Sequence, residues 1–211
     1  MTPRSRAGQA AAAAATGAAK SGGPYLDRTT LVRAAADLAD REGWSNLTLS
    51  QLAKDVNRHV TSLYAHVDGL DALRREVTLL ALEELADEVW RAALGRTGEQ
   101  ALAAIAAVER AYALEHPGRQ AAMFTYRRPD DEEFRERALR LAEPVRATLR
   151  SFGLDDEQVV LAHGVFSSAL RGLVLAEVTG TYRFADIDEA HQQLIQLFVV
   201  ALSTGTWPVQ Q

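Results

Sequence analysis

The chain has no cysteine, which excludes disulfides, thiolate metal sites and a cysteine nucleophile. No apolar run reads as a membrane span, because Arg, Asp or Glu interrupts every candidate. No alternating strand pattern appears. Neither a Ser/His/Asp order, paired inward carboxylates, a glycine-rich phosphate loop nor metal-ligand spacing can be found, so catalysis, metals and cofactors are not expected. The Ala/Gly tract in the first 24 residues, with Arg4, Arg6 and Lys20 around it, is too weakly apolar for a secretory signal. Residues 1–24 read as a disordered, mildly basic tail on a cytoplasmic protein.

What is abundant is alanine, a strong helix former, in a chain of 211 residues with 47% hydrophobic content. That length allows one sizeable domain or two small ones. The net charge of −5 conceals an asymmetry. Residues 1–75 hold ten Lys/Arg against seven Asp/Glu, a net +3, and residues 76–211 hold thirteen against twenty-one, a net −8. A basic N-terminal module on an acidic body suits a protein that touches phosphates at one end, although ordinary solvated surfaces can also differ this much.

Helix-start signals recur along the chain. Asp27 caps a helix over about 28–42, with Leu26 and Leu31 as its staple, and Gly43 ends it. Thr48 with Gln51 forms a capping box, stapled by Leu47 and Leu52. Asp68 with Asp71 resembles another, opening a long helix to about Leu94. A helix over 98–115 stops at His116-Pro117-Gly118, and a short apolar segment follows at Ala121–Tyr126. The stretch Asp130–Arg150 is helical in pattern, with Pro144 kinking it or starting a new helix. Asp155 with Gln158 opens a helix to about Thr179, and a last one runs from Asp186 or Asp188 to about Ser203. The fold class is therefore all-α, with an N-terminal three-helix helix-turn-helix domain over 25–75 and a C-terminal helical bundle over 76–211, which the resemblance given below implies to be a ligand-binding and dimerisation domain.

The segment LTLSQLAKDVNRHVTSLYAHVDGLDAL, Leu47–Leu73, carries the function. Leu49, Leu52, Val56, Leu63 and Val67 are spaced to point inward, and Ala53 is small where two helices cross. Asn57 takes the turn, where left-handed backbone is needed. Thr48, Arg58, His59, Val60, Thr61, Ser62, Tyr64 and His66 are left for DNA. Arg58 and His59 stand at the N-terminal end of the second helix, the end that enters a major groove. Thr61 and Ser62 can reach base edges or phosphates, and Val60 can meet a thymine methyl. Tyr64, His66 and Thr48 suit phosphate oxygens. His59 and His66 have no third ligand nearby for zinc.

This segment resembles the TetR family of bacterial regulators through Gly43, Thr48, Leu52-Ala53, Leu63-Tyr64, His66 and Leu73. The resemblance implies a homodimer on a double-stranded DNA operator and a C-terminal pocket for a small-molecule effector that controls DNA release. Asn57 stands in place of the family's usual turn glycine, Arg58 and His59 in place of a small apolar residue and a serine, Val67 in place of phenylalanine, and Leu70 in place of a phosphate-touching lysine. The second module resembles the WHG-type C-terminal domain through HPGRQAAMF (His116–Phe124) and LRGLVLAEVTGTYRFADID (Leu170–Asp188).

Trp90, Tyr112, Met123, Phe124, Phe134, His163, Phe166 and Arg171 are the candidate pocket residues, each with the alternative of being plain core. Arg171, among apolar neighbours, needs an anion, which Glu177, another acid or a ligand carboxylate could supply. The last two helices are apolar around more than one face, so Ser168, Ala169, Gly172, Leu173, Leu194, Leu197, Phe198 and Ala201 are candidates for a dimer interface, or for a central helix hairpin. The functional expectation is a ligand-responsive, sequence-specific DNA-binding regulator, a homodimeric repressor released from a palindromic operator by a small-molecule effector. The alternative is a helical adaptor or nucleoid-type DNA-binding protein without an effector.

Overall fold

A computed structural model describes residues 27–126, 128, 130–181, 186–205 and 207. The described residues form nine α-helices and a 3₁₀ turn, with no strand among them. The helices are α1 (Arg28–Glu42), α2 (Leu49–Asp55), α3 (Val60–Leu63), α4 (Leu70–Ala93), α5 (Gly98–Glu115), α6 (Pro117–Thr125), α7 (Glu132–Arg150), α8 (Asp156–Val178) and α9 (Ile187–Ser203). The tail at 1–24, and Leu26 of the first staple, lie outside the described residues.

Capping fixes the helix starts. The side chains of Asp27, Thr48, Asp131, Asp155 and Asp186 each accept a backbone N–H in the first turn of α1, α2, α7, α8 and α9. At Asp155 the capping box is complete, with Gln158 reaching back to the Asp155 N–H at 3.0 Å. The starts of α3, α4, α5 and α6 have no side-chain cap hydrogen bond; α4 is capped by Gly69, so Asp68 is not its cap.

Two further segments take definite form. The segment after His116 is a full helix, because Pro117 takes the first helical position, where its missing N–H costs nothing. Pro144 sits inside one helix, α7. It leaves the Arg140 carbonyl without its usual helical partner, and the Trp90 indole N–H donates to that oxygen at 3.0 Å.

There are two hydrophobic cores. Leu31, Ala35, Leu38, Leu47, Leu52, Leu63, Leu73 and Val77 build the first, from α1 to the start of α4. Leu85, Val89, Leu102, Ile105, Tyr112, Leu149, Phe166, Leu170 and Phe198 build the second. The 24-residue α4, about 36 Å long, contributes to both. So does α6, whose Ala122 is buried in the first core while Met123 packs on the second.

In length and composition α8 is apolar enough to cross a membrane, contrary to the sequence reading. Two faces account for this. Val159, Ala162, Phe166, Leu170 and Val174 are buried in the second core, and Leu161, Val165 and Leu175 form an exposed stripe at helical spacing.

Candidate nucleic-acid interface and ligand cavity

The end of α2 is a tight left-handed cap. Asn57 takes φ +51°, the Arg58 N–H bonds the Ala53 carbonyl at 2.8 Å, and the Asn57 N–H bonds that of Lys54 at 3.1 Å. This turn sets α3 against α2. Only Leu63 of α3 is fully buried, and Val60 packs partly onto the same core. Thr61, Ser62, His59 and Arg58 are exposed, and so is Tyr64 at 56%. His66 is half-buried. The Ser62 hydroxyl donates to the His59 carbonyl at 2.6 Å, and the Thr48 hydroxyl to Gln51 Oε1 at 2.8 Å. Thr61 and Tyr64 thus present side chains on one outer surface, while Val60 is turned partly inward and Ser62 holds its own helix start.

One cavity has a volume of about 660 Å³, within the usual range for small-molecule sites. It opens between α4, α5, α6, α7 and α8. Met123, Phe124, Phe134, His163 and Arg171 line it, together with Leu82, Leu85, Glu109, Gln120, Leu141 and Arg146. Three candidates lie elsewhere for physical reasons. Trp90 is held by the Arg140 carbonyl. Tyr112 is buried with its hydroxyl 3.3 Å from the Ala81 carbonyl and from Glu84. Phe166 packs edge-on against Phe198 in the second core, with ring centroids 5.1 Å apart. Phe198 is therefore turned into the core, unlike exposed Leu197.

The cavity's charges are unusual for its apolar walls. Arg171 lies over the Phe124 ring, 5.5 Å from its centroid. It does not pair with Glu177, which takes Arg110 at 2.6 Å and approaches His191 at 3.3 Å. Arg146 has its Nε buried without a hydrogen-bond partner. Burial, then Arg146 and Arg171, push the His163 imidazole down to about 4, so it is neutral. Burial pushes the Glu109 carboxyl up to about 7, and Arg171 only partly opposes the shift. At the rim, Asp131 is already engaged by Arg75 at 2.6 Å and by the Tyr126 hydroxyl at 2.5 Å. Hydrogen bonding to Arg75 holds Asp131 well below the usual carboxylate range.

Glu109 and Arg146 were not foreseen, yet their spacing carried a signal. Glu109 continues the buried stripe Leu102, Ile105, Ala106, and Arg146 sits within Ala142, Val145, Leu149. A charged residue on a core stripe points to a polar site within the core.

The raised Glu109 pKa has a consequence for stability. The unfolded acid titrates near 4.5 and the folded one near 7, so the folded state holds its proton more tightly. Stability is therefore lost as pH rises between those values, and the full penalty remains above them. Glu109→Gln is expected to stabilise the protein by about 2 kcal/mol at pH 8 and by almost nothing at pH 4. Denaturant midpoints at the two pH values check this; equal gains at both would remove the electrostatic explanation.

One helix joins cavity and DNA-binding module. Gln120, Met123 and Phe124 of α6 face the cavity. Its other side docks on α1, where Arg119 meets Asp37 at 2.6 Å and also Asp40, and the Arg119 N–H donates to Asp40 Oδ1 at 2.9 Å. The Trp44 indole N–H reaches Thr125 Oγ1 at 2.8 Å beside them. Among the described residues no group of three or more His, Asp or Glu could hold a metal ion.

The family described as tetracyclin repressor-like, C-terminal domain, matches residues 102–198. An HTH-type transcriptional regulator of Mycobacterium tuberculosis is 38% identical over 184 residues, covering 86% of this chain and 84% of the relative. The chain belongs to the TetR family of transcriptional regulators. As in that family, its helix-turn-helix is the DNA-binding element of an all-α protein.

Solved structures share the fold. The TetR-family protein ActR of Streptomyces coelicolor, in complex with (S)-DNPA, superposes with a TM-score of 0.62 at 19% identity, over 86% of this chain and 98% of ActR. The TetR-family regulator PfmR of Thermus thermophilus gives 0.60 at 21% identity, over 81% and 97% of the two chains.

Proposed function

We propose that this TetR-family regulator is a cytoplasmic homodimeric repressor that binds a palindromic operator and is released from it by a small-molecule effector. The division of labour follows the two cores: residues 25–75 read DNA, and residues 76–211 bind the effector and the second subunit. The observation that carries the reading is that α6 lines the cavity on one side and grips α1 on the other. An effector that prefers a different α6 position would shift α1, and with it the spacing of the two DNA-reading helices. That ActR, alike in fold, is seen with a small molecule supports an effector for this chain. A nucleoid-type protein has no use for a charged cavity of this size.

DNA contact is assigned first to Thr61 and Tyr64, whose side chains stand outward on α3 and at its end. Thr61→Ala and Tyr64→Ala are each expected to weaken operator binding at least tenfold while leaving the circular dichroism spectrum unchanged. Operator fragments for the gel shifts come from genomic footprinting of the native protein. Unchanged affinity in both variants would exclude α3 as the reading helix.

Dimerisation is assigned to the exposed stripe on α8 together with α9, where Leu197 is 68% and Val200 58% exposed. Ser168 and Gly172 lie on that α8 stripe and allow close approach, whereas Phe198 does not reach it. Leu197→Asp is expected to turn the dimer into a monomer by light scattering at micromolar concentration. A variant that stays dimeric would place the interface elsewhere.

A further inference from the structure

We propose that the cavity selects an amphipathic carboxylate, its anionic head received by Arg146 and Arg171 and its hydrocarbon body lying against Leu85, Met123 and Phe134. This rests on the reading of the cavity as an effector site and names the chemical class of that effector.

The case begins with Arg146. Its Nε is buried without a hydrogen-bond partner, in a wall of the cavity. A guanidinium donates through five N–H groups and cannot shed its charge, so an unmet buried donor is costly unless an acceptor arrives. No acceptor of the lining meets it: Gln120 Oε1, also buried there, is itself without a hydrogen-bond partner. Asp131 at the rim is taken by Arg75 and Tyr126. Glu109 is the one remaining acid in the lining, and it faces Arg171 from α5.

Charge complementarity then fixes the sign of the ligand. Arg146 from α7 and Arg171 from α8 both act on His163, which lies on the same lining. These two cations against one acid that is itself reluctant to ionise leave this part of the lining net positive. A carboxylate, planar and bidentate, matches a guanidinium fork better than a neutral hydroxyl does, and a cationic head would meet repulsion from both arginines. The stacking of Arg171 on Phe124 orients the second guanidinium without consuming its N–H edge. Around these heads the walls are hydrocarbon and aromatic, as the body of an amphipath requires.

Three ten-carbon probes that differ only in their head groups test this on the full-length protein: decanoate, 1-decanol and decylammonium, each titrated calorimetrically at pH 6.5, the ionic probes below their micellar concentrations and 1-decanol below its solubility limit. Decanoate is expected to bind at least tenfold more tightly than either of the others. Arg146→Gln is expected to weaken decanoate at least tenfold while leaving 1-decanol unchanged, which also shows that the variant keeps its cavity. Arg146→Lys should recover part of the loss. Equal decanoate affinity in the native and Arg146→Gln proteins, tighter binding of decylammonium, or no binding by decanoate overturns the proposal. Operator release is measured with the same probes. If 1-decanol or decylammonium releases DNA and decanoate does not, the effector reading stands and the carboxylate assignment fails. If decanoate binds through Arg146 yet never releases DNA, the anion site stands and the effector reading fails.

Discussion

Gly118→Ala is expected to destabilise the protein by roughly 3 kcal/mol, although alanine is the better helix former by about 1 kcal/mol. The reason is the approach of α6 to α1. A Cβ at position 118 would collide with the carbonyl carbon and oxygen of Ala39 and would stand 2.5 Å from the Asp40 nitrogen. These are backbone atoms in the last turns of α1, so no side chain can swing away to make room. Either α6 lifts off α1 or α1 bends. Lifting breaks the contacts of Arg119 with Asp37 and Asp40 and pulls Ala122 out of the first core. Urea unfolding of the variant reads the loss directly. A neutral or stabilised variant would mean that helix propensity governs and that α6 does not dock in this way. Because the same contact is assigned to signalling, effector concentrations that release the native protein from DNA should have a reduced effect on any folded fraction of the variant.

That contact shows what the sequence could and could not say. Most helix starts with a polar side-chain cap were legible, as at Asp27, Thr48, Asp155 and Asp186, because a cap is decided by a few neighbouring residues, although Asp131 was not singled out. The start of α4 was misplaced, since Gly69 caps it through backbone geometry and leaves no side-chain sign. The left-handed turn at Asn57 was legible for a local reason too: few other residues tolerate that backbone region. Tertiary roles were harder. Trp90 looked like a pocket aromatic, but it compensates the carbonyl that Pro144, 54 positions later in the chain, leaves unbonded. Tyr112 and Phe166 share the helical spacing of cavity residues and differ from them only in which neighbour they meet. Gly118 was quoted as part of a motif, yet its close packing on Ala39 depends on two helices nearly 80 residues apart. The charged cavity residues Glu109 and Arg146 stand on core stripes that were legible, but a lone acid or base on an amphipathic helix is ordinarily taken for part of its solvated face.

Arg119→Met is expected to cost about 3–5 kcal/mol, more than the loss of any exposed ion pair could explain. The Arg119 side chain is only 8% exposed, and it gathers acids from two helices: Asp37 and Asp40 on α1, and Glu84 on α4 at 3.4 Å. Asp40 is itself 11% exposed and is met by one other cation-capable group, His116 Nδ1 at 3.1 Å. Removing the guanidinium therefore strands a buried carboxylate, and the penalty is chiefly that of the charge left behind. The distinction is measurable. If the stranded anion is the cause, adding Asp40→Asn to Arg119→Met should recover about 1–2 kcal/mol, because the amide carries no charge to desolvate. If Arg119 acted only by filling space, Asp40→Asn would add its own loss instead. Arg119→Lys should fall between native and Met, since an ammonium keeps the charge but cannot span Asp37, Asp40 and Glu84 with one planar fork. The functional expectation follows from where these acids sit. With α1 and α4 no longer drawn to α6, operator binding should survive at low temperature while its dependence on the cavity's occupant is lost, a pairing of outcomes that mere unfolding cannot produce.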